Sequence, residues 1–155
     1  MKRKSSCDKE VVTLNEMKLK LPAISANESA ARSVVGVFIS QLNPTIEELA
    51  DVKCAVSEAV TNCIVHAYKN TVGTIYISAY LYSDNTVKIE IRDTGCGIDD
   101  VRQAMQPLYT TSPESERSGM GFAVMQTFCD RLRVSSKVGR GTRVILEKRL
   151  SRTVI

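Results

Sequence analysis

Several features are missing from this chain, and each absence removes a class of protein. The five cysteines (Cys7, Cys54, Cys63, Cys96 and Cys129) are odd in number, and no two form a C-x-x-C pair. That argues against a disulfide framework and against a zinc site, leaving reduced thiols in a cytoplasmic protein as the expectation. No apolar run approaches the roughly 20 residues of a membrane span. The charged start "MKRKSSCDKEVVTL" has no apolar stretch behind it, so it does not read as a secretory signal. A phosphate loop of the form G-x-x-x-x-G-K-[ST] does not occur. Nor does G-x-G-x-x-G lead from a strand into a helix, since "GCGIDD" carries Asp100 at its sixth position. A Rossmann fold is therefore a poor fit. There is no internal repeat and no low-complexity block.

What is present is an ordinary globular composition. The chain has 155 residues, 43% hydrophobic and 25% charged, enough for one domain with a sizeable core. The net charge of +4 comes from 21 basic and 17 acidic residues that are interleaved, so nucleic acid is not indicated as a partner. Residues 1–12 form a polar extension expected to be disordered, 13–150 a single domain, and 151–155 a tail.

The pattern predicts an α+β chain. "MKLKLPAI" alternates, with Met17, Leu19 and Leu21 on one side and Lys18 and Lys20 on the other, which predicts a half-buried strand. Two S/T-x-x-E sequences, Ser25 with Glu28 and Thr45 with Glu48, predict capping boxes on two helices. The first carries Ala31, Val34, Val35, Phe38, Ile39 and Leu42 as its apolar stripe. The second runs to about Tyr68, burying Leu49, Val52, Val56, Ala59, Val60, Cys63 and Ala67. "TIYISAYLYS" and "TVKIEIRD" predict a hairpin through "SDN". A short helix ended by Pro107, a polar loop "TTSPESERSG", a helix "GFAVMQTFCDRL" and a last hairpin turning at Gly139–Gly141 complete the chain. Helices grouped together beside hairpins predict a two-layer α+β sandwich rather than a doubly wound sheet.

Three stretches carry polar groups where chemistry could occur. In "SEAVTNCIVHAY", Glu58, Asn62 and His66 stand four apart, so each returns to within about 40° of the last around the helix. They form a row beside the apolar face, although each also has an ordinary reading as a solvated or packed helix residue, and packing is the expectation for His66. In "IEIRDTGCGI", Asp93 ends a strand, and Gly95 and Gly97 follow. A strand-end carboxylate can accept from an amino group, and glycine lets a backbone lie against a ligand; a plain turn is the alternative. In "SGMGF", glycines open a helix whose N-terminal N–H groups favour an anion, with Arg117 just before it. A plain loop-to-helix junction would look the same.

The combination and its order are more specific than any part. E-x-x-x-N on a helix, D-x-G-x-G after a strand, G-x-G opening a helix and "GRGT" in the final hairpin resemble the GHKL ATPase superfamily, which includes gyrase B, the histidine kinases and MutL. The resemblance spans nearly everything after residue 12. "NESAARSVVGVFISQLNPTIEELADVKCAVSEAVTN" and "QPLYTTSPESERSGMGF" are similar to the anti-sigma serine kinases of endospore-forming bacteria. The amino-terminal extension and "HAYKNTVG" depart from that pattern.

The resemblance implies a Bergerat fold: a mixed, mostly antiparallel sheet with helices on one face. It implies ATP, becoming ADP after transfer, with Mg²⁺ held by Asn62. Asp93 would read adenine, with Gly95 and Gly97 bringing the backbone close and Thr142 bonding nearby. Arg117, Ser118, Gly119, Met120 and Gly121 would meet the phosphates, and Thr110 to Ser118 would form an ATP lid. Glu58 would be the general base toward a serine hydroxyl of an anti-anti-sigma factor. A sporulation sigma factor of the sigma-F type would be the second partner, met in part through Arg32, with a homodimer as the assembly and no direct contact with nucleic acid or membrane. Two other readings stay open: a binding module in which ATP only sets conformation, and a separated histidine-kinase catalytic domain. The single histidine and the lack of a dimerisation helix pair count against the latter.

Overall fold

The computed structural model describes residues 9–106 and 120–151. Five strands form one sheet in the order β1-β2-β3-β5-β4: β1 Thr13–Pro22, β2 Thr74–Tyr82, β3 Thr86–Arg92, β4 Arg131–Lys137 and β5 Gly141–Arg149. Every neighbouring pair is antiparallel, so nothing in this sheet is mixed. Alternation sets the faces. Ile75, Ile77, Ala79 and Leu81 of β2, with Val87, Ile89 and Ile91 of β3, are buried toward one side. Two helices, α1 Ala26–Ile39 and α2 Ile46–Asn62, share that core, and Met125 of α4 (Gly121–Phe128) completes it. A short α3 covers Val101–Ala104.

The predicted elements are present, with corrections at their ends. Thr45 caps α2 as a full capping box: its side chain accepts from the Glu48 N–H, and Glu48 accepts from the Thr45 N–H. Ser25 does not do the same. Its backbone is already helical and its side chain makes no cap bond. Glu28 instead accepts from the Ser57 hydroxyl of α2 and pairs with Arg32 at 3.6 Å. Val34, placed in the apolar stripe by its spacing, is 40% exposed.

The long helix ends as α-helix at Asn62 and continues as a π turn over Cys63–Ala67. The last helix stops at Phe128, short of the predicted Leu132. Cys129 is extended, Lys148 Nζ takes the Phe128 carbonyl at 2.9 Å, and Leu132 belongs to β4. Gly139 and Gly141 have φ of +76° and +103°, which the final turn requires. Pro107, the terminal extension and the polar loop lie outside the described residues or largely so.

Candidate functional site

Between α2, α4 and the ends of β3 and β5 lies a cleft of about 330 Å³. Its deep end is built on Asp93, the residue after β3. There the β3–β5 ladder makes one more bond, from the Asp93 N–H to the Thr142 carbonyl at 2.9 Å. The side chain is 95% buried (5% exposed) and its Oδ1 accepts from the Gly95 N–H at 2.9 Å and the Thr142 N–H at 3.2 Å. Its Oδ2 accepts from the Cys63 thiol at 3.6 Å. Burial holds the Asp93 carboxyl above the usual carboxylate range, against the pull of those hydrogen bonds. Burial, and then the Asp93 charge, push the Cys63 thiol well up.

The turn that follows is pinned on almost every side. Thr94 N–H donates to the Tyr68 hydroxyl at 2.9 Å, Cys96 N–H to the Ala67 carbonyl at 2.8 Å, and Ile98 N–H to Ser136 Oγ at 2.7 Å. Glycine is what allows the approach. A Cβ on Gly95 would lie 2.1 Å from the Ala67 oxygen, and one on Gly97, at φ +76°, would lie 2.3 Å from the Lys137 oxygen. Ser136 Oγ and Thr142 Oγ1 share a hydrogen bond of 2.8 Å at the floor.

The other end is the α2–α4 crossing. Gly121 is the first residue of α4, and a Cβ there would stand 3.2 Å from Glu58 Oε2 and 3.4 Å from Asn62 Oδ1. The absent side chain thus leaves the α4 N-terminus open beside a carboxylate and an amide. Met120 precedes it and lines the mouth.

The profile of the histidine kinase-like ATPase domain matches residues 21–148. The anti-sigma F factor of Caldanaerobacter subterraneus subsp. tengcongensis is 58% identical over 138 residues, covering 89% of this chain and 96% of that protein. The anti-sigma F factor of Priestia megaterium is 53% identical, covering 88% and 94%. The chain belongs to the anti-sigma F factor family, within the histidine kinase-like ATPases. The fold of this family member also matches the crystal structure of the RsbU and RsbW domains of a Mycobacterium tuberculosis protein, with a TM-score of 0.67 at 22% identity. That match covers 90% of this chain but 34% of the other, and it speaks for the fold alone.

For this member of the anti-sigma F factor family, the cleft gathers Asn62, Asp93, Gly97, Met120, Gly121 and Thr142, with Glu58 at its edge beside Gly121 and Gly95 in the turn behind Asp93. Arg32 stands apart on the exposed side of α1, paired to Glu28. Arg117, Ser118 and Gly119, and the segment read as a lid, lie outside the described residues. His66, read in one row with Glu58 and Asn62 and expected to be packed, is half-buried and lines the cleft with Asn62, although the helix passes into a π turn between them. Cys63, Lys69, Ile98, Gln103 and Phe122 also line it and were not predicted as site residues. No spacing rule could have found Cys63, whose contact with Asp93 spans 30 positions. Among the described residues, no helix is long and apolar enough to cross a membrane.

Proposed function

We propose that this protein is an ATP-dependent serine kinase and anti-sigma factor of the sigma-F type. In this reading it holds a sporulation sigma factor inactive and phosphorylates the anti-anti-sigma factor that would release it. The observation that carries it is the cleft itself. A buried carboxylate suited to an amino group sits at one end, and a carboxylate, an amide and an open helix N-terminus sit at the other. Adenine belongs at Asp93, where an ionised Oδ2 accepts from an exocyclic amino group. The phosphates belong at Met120 and Gly121, whose N–H groups are those a helix leaves unpaired.

The donor set fits Mg²⁺. Among the described residues no three His, Cys, Asp or Glu side chains could hold a metal together. Asn62 offers one hard amide oxygen beside Gly121. Magnesium takes few protein ligands and completes its shell with phosphate and water oxygens. Bound there, the ion would neutralise charge on the phosphates. Glu58, next to Asn62 on the same flank, orients the incoming serine hydroxyl and takes its proton as Oγ bonds to the γ-phosphorus and ADP leaves.

Arg32 contacts the partner, supported by its exposed place on α1 away from the cleft. The working form is a cytoplasmic homodimer. Incubation with Mg²⁺, labelled ATP and the protein of a neighbouring antagonist gene tests the reading. Label on a serine of that partner is the expected result. Transfer that is undiminished in Glu58→Ala would remove Glu58 as the base. Nucleotide binding with no transfer to any antagonist would favour the module in which ATP only sets conformation.

A further inference from the structure

Cys63 has no part in phosphate chemistry, yet it is the one side chain that touches the second oxygen of Asp93 among the hydrogen bonds described for that carboxylate. It is the first residue of the π turn, 4% exposed, and its thiol donates to Asp93 Oδ2 at 3.6 Å. An ionised carboxylate has about four acceptor directions. Oδ1 accepts from two backbone N–H groups, of Gly95 and Thr142. Oδ2 accepts from the thiol and keeps one direction, and Asp93 and Cys63 both line the cleft.

We propose that Cys63 is a positioning residue for adenine recognition: its thiol proton fixes the Asp93 carboxylate so that a single acceptor direction of Oδ2 faces the cleft. The inference rests on the adenine reading of that cleft. Because the carboxylate is a rigid plane, the two backbone donors on Oδ1 orient Oδ2 as well, and the thiol adds a third bond against rotation about Cβ–Cγ while occupying one of the two Oδ2 acceptor directions. A thiol carries its proton at neutral pH and is a donor there, and Sγ lies 3.6 Å from Oδ2. One fixed acceptor selects for a purine that presents an amino group there and against one that presents a carbonyl oxygen, which a carboxylate repels.

The test is calorimetry of the full chain with ATP and with inosine triphosphate, both with Mg²⁺. The second nucleotide carries a 6-oxo group in place of the 6-amino group and, with it, a proton on N1. Wild type is expected to prefer ATP. Cys63→Ala should bind ATP about 3- to 10-fold more weakly, the worth of one modest hydrogen bond, with binding of inosine triphosphate unchanged. The preference therefore narrows by the same factor. Cys63→Ser, which keeps a hydroxyl donor, should restore it. A purely structural cysteine would weaken both nucleotides together or neither.

If Cys63→Ala keeps the wild-type preference, or loses affinity equally for both nucleotides, the positioning role is overturned while the adenine site stands. If wild type itself shows no preference, the adenine reading falls, and this inference falls with it. Should Cys63→Ala prove unstable, the comparison of Cys63→Ser with Cys63→Val decides the matter, since valine fills the space without a donor. A valine variant with wild-type preference overturns the proposal.

Discussion

The two ends of the cleft are built on opposite plans. Around Asp93, backbone N–H groups of four residues in or after the turn are tied to the helix end, to β4, or to the carboxylate itself. That end is a fixed mould. Around Gly121 the geometry rests on two side chains of α2 and the opening of an eight-residue helix. That end is a place where groups meet. The contrast teaches where tolerance to change should lie. In the proposed reading, recognition of a rigid flat ring belongs to the mould, and transfer between moving partners belongs to the junction.

The largest effect that would sharpen this contrast is at the junction. Glu58→Gln should slow phosphate transfer to the antagonist by about 10²- to 10⁴-fold, with nucleotide affinity measured by calorimetry within a few-fold of wild type. A variant that loses affinity as much as rate would break the division of labour. Next comes the mould. Asp93→Asn should weaken ATP binding on the order of 10- to 100-fold, as expected for a hydrogen bond to a charged group.

The same variant separates binding from stability. Because burial raises the Asp93 pKa in the folded state, the native protein binds the proton more tightly than the unfolded chain. Stability from this group is fullest at low pH and declines as pH rises from the usual carboxylate value through the raised one. Asparagine keeps an acceptor for Gly95 and Thr142 and carries no charge. Urea titrations should therefore show that this component of the pH dependence is missing in the variant.

One substitution made at both ends gives the cleanest comparison. Gly95→Ala drives a methyl into the Ala67 carbonyl and should cost about 1–3 kcal/mol, as overpacking does, with ATP binding lost. Gly121→Ala meets only the ends of two flexible side chains. It should change stability by less than about 1 kcal/mol, since alanine is the better helix former, while slowing transfer. Equal destabilisation at the two positions would show that the junction is as rigid as the mould. The smallest expected effect is that of Tyr68→Phe, which removes the hydroxyl shared by Thr94 N–H and the Thr74 carbonyl. A loss of about 1 kcal/mol in urea unfolding is expected.

Much of this was readable in the residues. Alternation placed β1, β2 and β3, and the order of the polar motifs pointed to the site before any geometry. What escaped reading was decided between elements. Ser25 and Thr45 begin the same four-residue pattern, yet only Thr45 caps its helix. At Ser25 the backbone is already helical, and Glu28 is held by Ser57 and Arg32 from elsewhere. Val34 has the spacing of a core residue but turns to solvent, because α1 offers the core a narrower stripe than its apolar content suggests. The π turn over Cys63–Ala67 also went unread, since it gives no signal in composition.

That widened turn has a consequence for how the molecule breathes. Its last residue, Ala67, lends its carbonyl to Cys96 across the fold, and the His66 carbonyl accepts the Cys96 thiol at 3.2 Å. The π-turn end of the helix and the glycine loop are thus each other's clasp. In deuterium exchange the amide of Cys96 should open in step with the amides of the helix terminus, as one unit 29 residues apart in the chain. A ligand that settles against one should quieten both.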